Sequence, residues 1–370
     1  MKELYRLKDL ARLGCYALGA LLLLAALSWC VPEYRAGDVP GQLYTIRHQE
    51  LRDNNPLYTD LLLKSVKANG GYLVLGTSET NELPHGNYFD FLNADTTLDA
   101  GFSVIAGAGR TACTYFPLIQ SNENVEHLKM IYYINPSYWC NKLAESNAEY
   151  FHRYVSTYVY GKANRPEDED VERILRANLP NVRCSDRLVE PLAYCGNWIR
   201  RKYNQDLVFA LDSSRLYGSL TFLDRGVANR RVQKGAVRPD SLRYNYSLNV
   251  SRDFDVNAYT LRAHPEAQYR YDELRTMVRL CRSRHIDIVY VLGPYNRLAF
   301  ERVHPEEASK MQRVTEEVRR VLEDEGVAYV DCSALSAEPG AFADWQHHNS
   351  YGAYLIYQKI RDYVLEKEIR

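Results

Sequence analysis

Five short apolar runs, spaced along the chain with helix-type sequence between most of them, set what this protein can fold into. They are Gly71–Leu75, Phe102–Ala106, Lys129–Ile134, Ile286–Leu292 and Val327–Asp331. Helical patterns run from Thr111 onward, over about 266–284, about 306–325 and about 349–367. A strand that is apolar on both faces is buried from both sides. Alternation of such strands with helices therefore predicts an α/β fold, a parallel sheet with helices on each face. In such sheets ligands bind beyond the carboxyl ends of the strands. Ser78, Gly107 to Gly109, Asn135 and Gly293 to Asn296 all fall just past strand ends, so they are expected to gather on one rim.

Two regions depart from this rhythm. Residues 36–70 read as a polar connector with some helix around Tyr58. Residues 140–250 carry charged, tyrosine-rich helical segments and no run that reads as a buried parallel strand, which predicts an insertion. The 370-residue chain, 46% apolar, is long enough for one large domain with a sizeable core. Its formal net charge of -1 argues against nucleic acid as a partner, because duplex binding normally requires a basic footprint.

Leu13 to Val31 form an uncharged stretch. At 1.5 Å per residue it reaches roughly 28 Å, close to the ~30 Å of a bilayer core. Lys2, Arg6, Lys8 and Arg12 precede it against only Glu3 and Asp9. The positive-inside bias then predicts a cytoplasmic N-terminus over 1–12, a single-pass anchor over 13–31, a connector over 32–70 and an extracytoplasmic domain over 71–370. A cleaved signal peptide and a buried core helix are the rival readings. No convincing small-x-small cleavage site is present, and Trp29 stands where a lipoprotein signal would want a small residue before Cys30.

Of eight cysteines, Cys15 and Cys30 fall in the anchor; the other six lie where disulfides persist. Cys184 and Cys195 are the most plausible bridge, with buried free thiols as the alternative. No Cys-x-x-Cys or His-x-x-x-His spacing points to a metal, and nothing calls for a cofactor.

The chemistry-bearing residues lie at the two ends of the strand series. Gly76-Thr77-Ser78-Glu79 directly follows the first apolar run, and Asp344-Trp345-Gln346-His347-His348-Asn349-Ser350-Tyr351-Gly352 follows the last strand and opens the last helix. Serine is a poor nucleophile near neutrality; it needs a base, and the base needs a group that fixes its tautomer. Ser78, His347 and Asp344 are the candidates for those three roles. Ser78 is also expected to cap a helix, with Glu79 and Glu82 in its first turn, where the dipole favours acids. Oxyanion donors are sought at the backbone N–H of Ser78 and of Gly109, with Gly107 as the alternative.

At this point the sequence resembles the SGNH (GDSL-like) hydrolase superfamily, which uses a serine after the first strand and a C-terminal Asp-x-x-His. Within it, the chain is most similar to the DltD-type D-alanine transfer proteins. These carry a Gly-Ser-Ser-Glu-like motif, an N-terminal anchor, a helical insertion and a strand ending in Pro-x-Asn, matched here by Gly76 to Glu79, Leu13 to Val31, about 140–250, and Pro294-Tyr295-Asn296. The sequence departs in two places: Thr77 replaces the motif's first serine, and Asn135-Pro136-Ser137-Tyr138-Trp139 stands where the family tends to have Ser-Pro and an aromatic.

The resemblance implies a three-layer flavodoxin-like fold with about five parallel strands. It also implies a side-chain oxyanion donor from Asn135, as in the superfamily's third block. By the same resemblance the protein would work beside a membrane-bound O-acyltransferase. It would carry a D-alanyl group as an ester on Ser78 and transfer it to a hydroxyl of a teichoic acid or another cell-envelope glycan. An SGNH carbohydrate esterase with water as acceptor is the alternative, and a non-catalytic envelope-binding protein the second.

The remaining candidates are weaker. Glu79 is read as a first-turn acid with a local bond, a direct catalytic role being the alternative; His85 as a solvated loop histidine before a pocket-lining one; and Arg110 as a surface cation before a site for an acidic acceptor. His348 rivals His347 as the base, but the offset to Gly352 favours His347. Tyr138 and Trp139, just past a strand end, are the aromatics placed to meet a glycan, and Asn296 completes the substrate-binding candidates.

Overall fold

The computed structural model describes residues 2–45, 56–107, 111–136, 195–196, 198–233, 268–303 and 305–368. The chain divides into two compact units, Met1–Gly37 with Ser185–Leu220, and Asp38–Cys184 with Thr221–Arg370.

The larger unit is a mixed α/β domain around a seven-stranded sheet. Its strands are β1 (Leu43–Thr45), β2 (Tyr72–Gly76), β3 (Phe102–Ala106), β4 (Lys129–Ile134), β5 (Thr221–Phe222), β6 (Asp287–Leu292) and β7 (Tyr329–Asp331), in the spatial order β5-β1-β3-β2-β4-β6-β7. All pairings are parallel except that of β5 with β1. The five expected strands are the five on the β7 side of β1. The runs of β2, β3 and β4 and the second half of β6 are buried on both faces of the sheet, as the absence of a polar alternation required, while edge strand β7 buries only Val330.

One face packs the aromatic and branched residues Tyr72, Val74, Phe102, Val104, Ile131 and Val289 against helices Tyr88–Ala94 and Ser350–Glu368. On the other, helices Pro56–Ala68, Gln268–Ser283 and Pro305–Asp324 lie against the strands. Chain order turns around at β2: β3 lies on one side of it and β4, next in sequence, on the other. Such a reversal opens a crevice at the carboxyl end of the central strand, and Ser78 follows that end by two residues.

Three expectations need correction. The stretch 32–70 supplies β1 and the helix Pro56–Ala68, whose Leu61, Leu62, Leu63 and Val66 are buried, so the sheet domain starts well before residue 71. The range 140–250 contributes β5, a two-residue antiparallel edge strand; most of the expected insertion lies outside the described residues. The segment after Ser78 is a single 3₁₀ turn, Ser78–Thr80, and the helix proper starts at Tyr88 with Asn87 as its cap. Gly76 permits this tight turn, because a Cβ there would collide with the Thr80 side chain.

In the smaller unit, the apolar helix Lys2–Cys30 contains a span, Arg6–Cys30, long and apolar enough to cross a membrane and not buried in the protein. The chain after it is tied down by Asp206, whose carboxylate accepts the Tyr34 N–H at 3.1 Å and pairs with Lys202 at 3.1 Å. Among the described cysteines, Cys15, Cys30 and Cys195 are exposed free thiols; Cys184, the expected partner of Cys195, lies outside the described residues. Cys281 and Cys332 are buried in the larger unit, where burial pushes each thiol up to about 12.

Candidate active site

Three side chains from opposite ends of the larger unit's sequence meet beyond β2. Ser78 Oγ lies 2.8 Å from His347 Nε2, and His347 Nδ1 lies 2.7 Å from Asp344 Oδ2. The offset of three residues between acid and base is bridged by a tight loop. Phe342 pairs with His348 in an isolated antiparallel bridge, and the Ala343 N–H donates to the His347 carbonyl at 2.9 Å. Residues 344 to 347 are thereby folded into a turn in which both side chains point the same way. Asp344 fixes the turn itself, since its Oδ1 accepts the N–H groups of Gln346 (2.8 Å) and His347 (2.7 Å).

The rest of the motif anchors this loop. Asn349 caps the last helix, its Oδ1 accepting the Gly352 N–H at 3.0 Å while its Nδ2 donates to the Gly340 carbonyl at 2.7 Å. Gly352 carries no side chain because a Cβ there would meet the Ala341 carbonyl. Asn296, expected as a substrate-binding residue, is instead buried behind the loop. Its N–H donates to the Trp345 carbonyl and its Nδ2 to the Asp344 carbonyl, both at 3.0 Å, while its Oδ1 accepts the Ala299 N–H at 3.1 Å. Trp345 packs edge-on against Phe300, 6.0 Å between ring centres. The acid therefore sits on a pinned loop.

The hydrogen bonds also assign the imidazole tautomer. The Gln346 amide nitrogen, a donor only, lies 3.2 Å from His347 Nε2. With Nδ1 carrying the proton toward Asp344, Nε2 is left as the acceptor that faces Ser78. Burial alone would lower the His347 pKa, but the Asp344 hydrogen bond and the charges of Glu79 and Asp344 outweigh it and raise it above the usual value. Asp344 moves the other way: burial would raise it, and the bonds from His347 and Gln346 hold it below the usual carboxylate range.

Beneath the serine lies a second carboxyl. Glu79 is buried (2% exposed), with Oε2 3.4 Å from Ser78 Oγ and Oε1 hydrogen-bonded by Asn135 Nδ2. Burial raises its pKa to about 7, against the lowering influence of His347, its own backbone and Asn135. Asn135, expected to donate to an oxyanion, thus has an amide hydrogen committed to Glu79. Asn87 holds the turn from below, donating through Nδ2 to the carbonyls of Glu79 and Asn81, both at 2.7 Å.

Other expected residues fall elsewhere. His348 is buried beside this cluster, its Nε2 2.9 Å from Asn87 Oδ1, and burial pushes its pKa down to about 3, so it is not placed to serve as the base. His85 is exposed on the loop between Thr80 and Tyr88. Gly107 is buried immediately past β3, while Gly109, Arg110, Tyr138 and Trp139 lie outside the described residues. The Ser78 N–H opens one 3₁₀ turn in place of the expected helix, and a single such turn carries little dipole.

Sequence reasoning missed Gln346, Asn87 and the depth of Glu79. Gln346 lies inside the Asp-x-x-His spacing, but nothing in its identity marks it as a contact of the base. It also missed a cavity of about 610 Å³ beside the serine turn, with Thr80, Asn81, Ala106, Phe222, Val227 and Arg231 in its walls. Arg231 is paired there with the buried Asp90 at 3.1 Å, and Asp90 also accepts the Tyr44 hydroxyl at 2.7 Å. Among the described residues no group of three or more His, Cys, Asp or Glu side chains could hold a metal ion.

This arrangement is a nucleophile, a base whose acceptor nitrogen faces it, and an orienting carboxylate, on the rim where a parallel sheet binds ligands. No family model matches the chain, and a search of curated proteins found no match either.

Proposed function

We propose that this protein is a membrane-anchored serine acyltransferase of the cell envelope, with an SGNH-hydrolase-like domain similar to the DltD-type D-alanine transfer proteins. The observation that carries the reading is the continuous relay from Ser78 through His347 to Asp344, at 2.8 and 2.7 Å.

In this reading His347 Nε2 takes the Ser78 proton as Oγ attacks the acyl carbonyl. The imidazolium is held by Asp344 and returns the proton to the leaving group. The ester on Ser78 is then attacked by an acceptor hydroxyl, whose proton passes to His347 and on to Oγ as the ester bond breaks. The cavity beside the turn supports a bulky partner at one of these steps, since its volume is in the range of ligand sites. The resemblance suggests a D-alanyl group, a teichoic acid or other envelope glycan as acceptor, and a membrane-bound O-acyltransferase as donor partner. The apolar helix and the basic residues near its start support an anchor with a cytoplasmic N-terminus.

One observation favours the esterase alternative. The side chains of His347 and Asp344 are each 32% exposed, so water reaches the base and competes as acceptor. An intact relay speaks against the non-catalytic alternative.

The test is labelling of the full-length, detergent-solubilised protein with a serine-directed fluorophosphonate. Loss of the adduct in Ser78→Ala and strong slowing in His347→Ala are expected. Unchanged labelling of Ser78→Ala would remove that residue from the mechanism. Transfer and hydrolysis separate in a second assay: rapid cleavage of small acetyl esters without transfer to added glycan would favour the esterase.

A further inference from the structure

The relay uses three side chains and leaves Glu79 without a task. A carboxyl with almost no exposure to water, 3.4 Å from the nucleophilic oxygen, is costly to keep unless it acts there. One of its oxygens is occupied by the Asn135 amide, which orients the group and turns Oε2 toward Ser78. We propose that Glu79 is a further catalytic residue: as the neutral acid it donates a hydrogen bond from Oε2 to Ser78 Oγ, and as the carboxylate it competes with His347 for the serine proton. This rests on Ser78 being the nucleophile.

The proton arithmetic separates the two forms. Ser78 has one hydrogen to donate and His347 Nε2 is its productive acceptor at 2.8 Å. With Glu79 neutral, Oε2–H points at a lone pair of Oγ, the serine hydrogen goes to His347, and the bond strengthens as Oγ gains negative charge on attack and again on expulsion from the ester. The Glu79 proton is not transferred. With Glu79 ionised, Oε2 accepts the serine hydrogen, which is diverted from the base, and a fixed negative charge opposes the developing oxyanion.

The groups around the carboxyl agree with the neutral form. Tyr133 from β4 and Tyr88 from the helix after the turn bring no positive charge, and burial near Glu79 raises both phenols. Asp344 adds a negative charge from the acid loop; against these stand protonated His347, the Glu79 backbone and the Asn135 amide, which favour the ionised acid but do not outweigh burial. His347 and Glu79 therefore titrate as a pair, and of the forms carrying one proton between them, only neutral Glu79 with neutral His347 is competent.

The test compares labelling rates of the full-length protein with a fluorophosphonate from about pH 5 to about pH 9, a range that spans both groups. Wild type is expected to rise as His347 loses its proton and to fall again as Glu79 ionises. Glu79→Gln keeps a donor toward Oγ and cannot ionise, so its rate should rise and stay level. Glu79→Ala removes the donor and should be slower by about 10- to 100-fold at every pH. A merely structural Glu79 would change melting temperature and leave the alkaline fall in place.

Infrared spectroscopy of the wild type gives a reading that needs no variant. A protonated-carboxyl band should disappear over the same pH interval as the labelling falls. An alkaline fall retained in Glu79→Gln, a loss in Glu79→Gln as deep as in Glu79→Ala, or the absence of that band at the labelling maximum would overturn the proposal alone. A wild type without a Ser78 adduct would overturn the acyl-transfer reading as well.

Discussion

Replacing Asp344 by asparagine tests how the base is held. The carboxylate uses both oxygens: Oδ1 accepts two backbone N–H groups, from Gln346 at 2.8 Å and His347 at 2.7 Å, and Oδ2 accepts the His347 Nδ1 proton at 2.7 Å. Asparagine offers only one oxygen. Turned toward His347, it would aim its NH₂ at two N–H donors and leave both unsatisfied, at about 1–3 kcal/mol each. Turned toward the backbone, it keeps both bonds and presents NH₂ to Nδ1. That second arrangement wins. It forces Nδ1 to accept and moves the ring proton to Nε2, which then faces Ser78 as a donor and cannot take the serine proton.

The loop fold survives this change, while the base is locked in the wrong tautomer. The expected loss is about 10⁴-fold, or about 5–6 kcal/mol in the barrier. The assay is the second-order rate of fluorophosphonate labelling of full-length Asp344→Asn, with melting temperature as the control for folding. A rate within about tenfold of wild type, a gap of only about 1.4 kcal/mol, would refute the tautomer argument.

Asn296→Asp keeps the oxygen that accepts the Ala299 N–H and loses the donor to the Asp344 carbonyl, so labelling should drop by about tenfold with little change in melting; an equal rate would mean that the acid loop holds itself. Gly352→Ala drives a Cβ into the Ala341 carbonyl and should destabilise by about 1–3 kcal/mol, seen as a lower melting temperature. His348 is kept neutral by burial, with its pKa near 3 in the folded protein against the ordinary 6.5. As pH falls from about 6.5 toward about 3, the unfolded chain binds a proton that the folded one refuses, so stability is lost by up to about 1.4 kcal/mol per pH unit. Denaturant titration of His348→Gln should give a shallower slope in that window; an unchanged slope would mean that other groups dominate. A reporter active only outside the cytoplasm, fused after Pro40, should be active if the N-terminus is cytoplasmic.

The central strands were legible because each is a continuous apolar run with glycine, proline or asparagine near its carboxyl end. β1 and β5 were not, since three and two residues at the β5 end of the sheet carry too little pattern, and their pairing is made by residues far apart in sequence. Ser78, Asp344 and His347 stood out by conjunction: a serine after one strand and an Asp-x-x-His after another mean little alone. What surrounds them depends on tertiary burial. Glu79 reads as an ordinary first-turn acid until the Gly76 turn folds it under the serine. Asn135 and Asn296 were rightly singled out as strand-end residues, yet one amide goes to Glu79 and the other to the acid loop. Asn87, seven residues before Ala94 at the end of its helix, gave no sign that it would brace both the serine turn and His348.

The account stands on the hydroxyl of Ser78 becoming covalently bonded to an acyl group. Full-length protein incubated with p-nitrophenyl acetate, quenched in acid and mapped by peptide mass spectrometry measures this directly. An acetyl increment on the peptide containing Ser78, absent from Ser78→Ala and accumulating far more slowly in His347→Ala, is the expected result. Acetyl on another residue with Ser78 unmodified, or an increment at Ser78 that forms equally fast without His347, would contradict it.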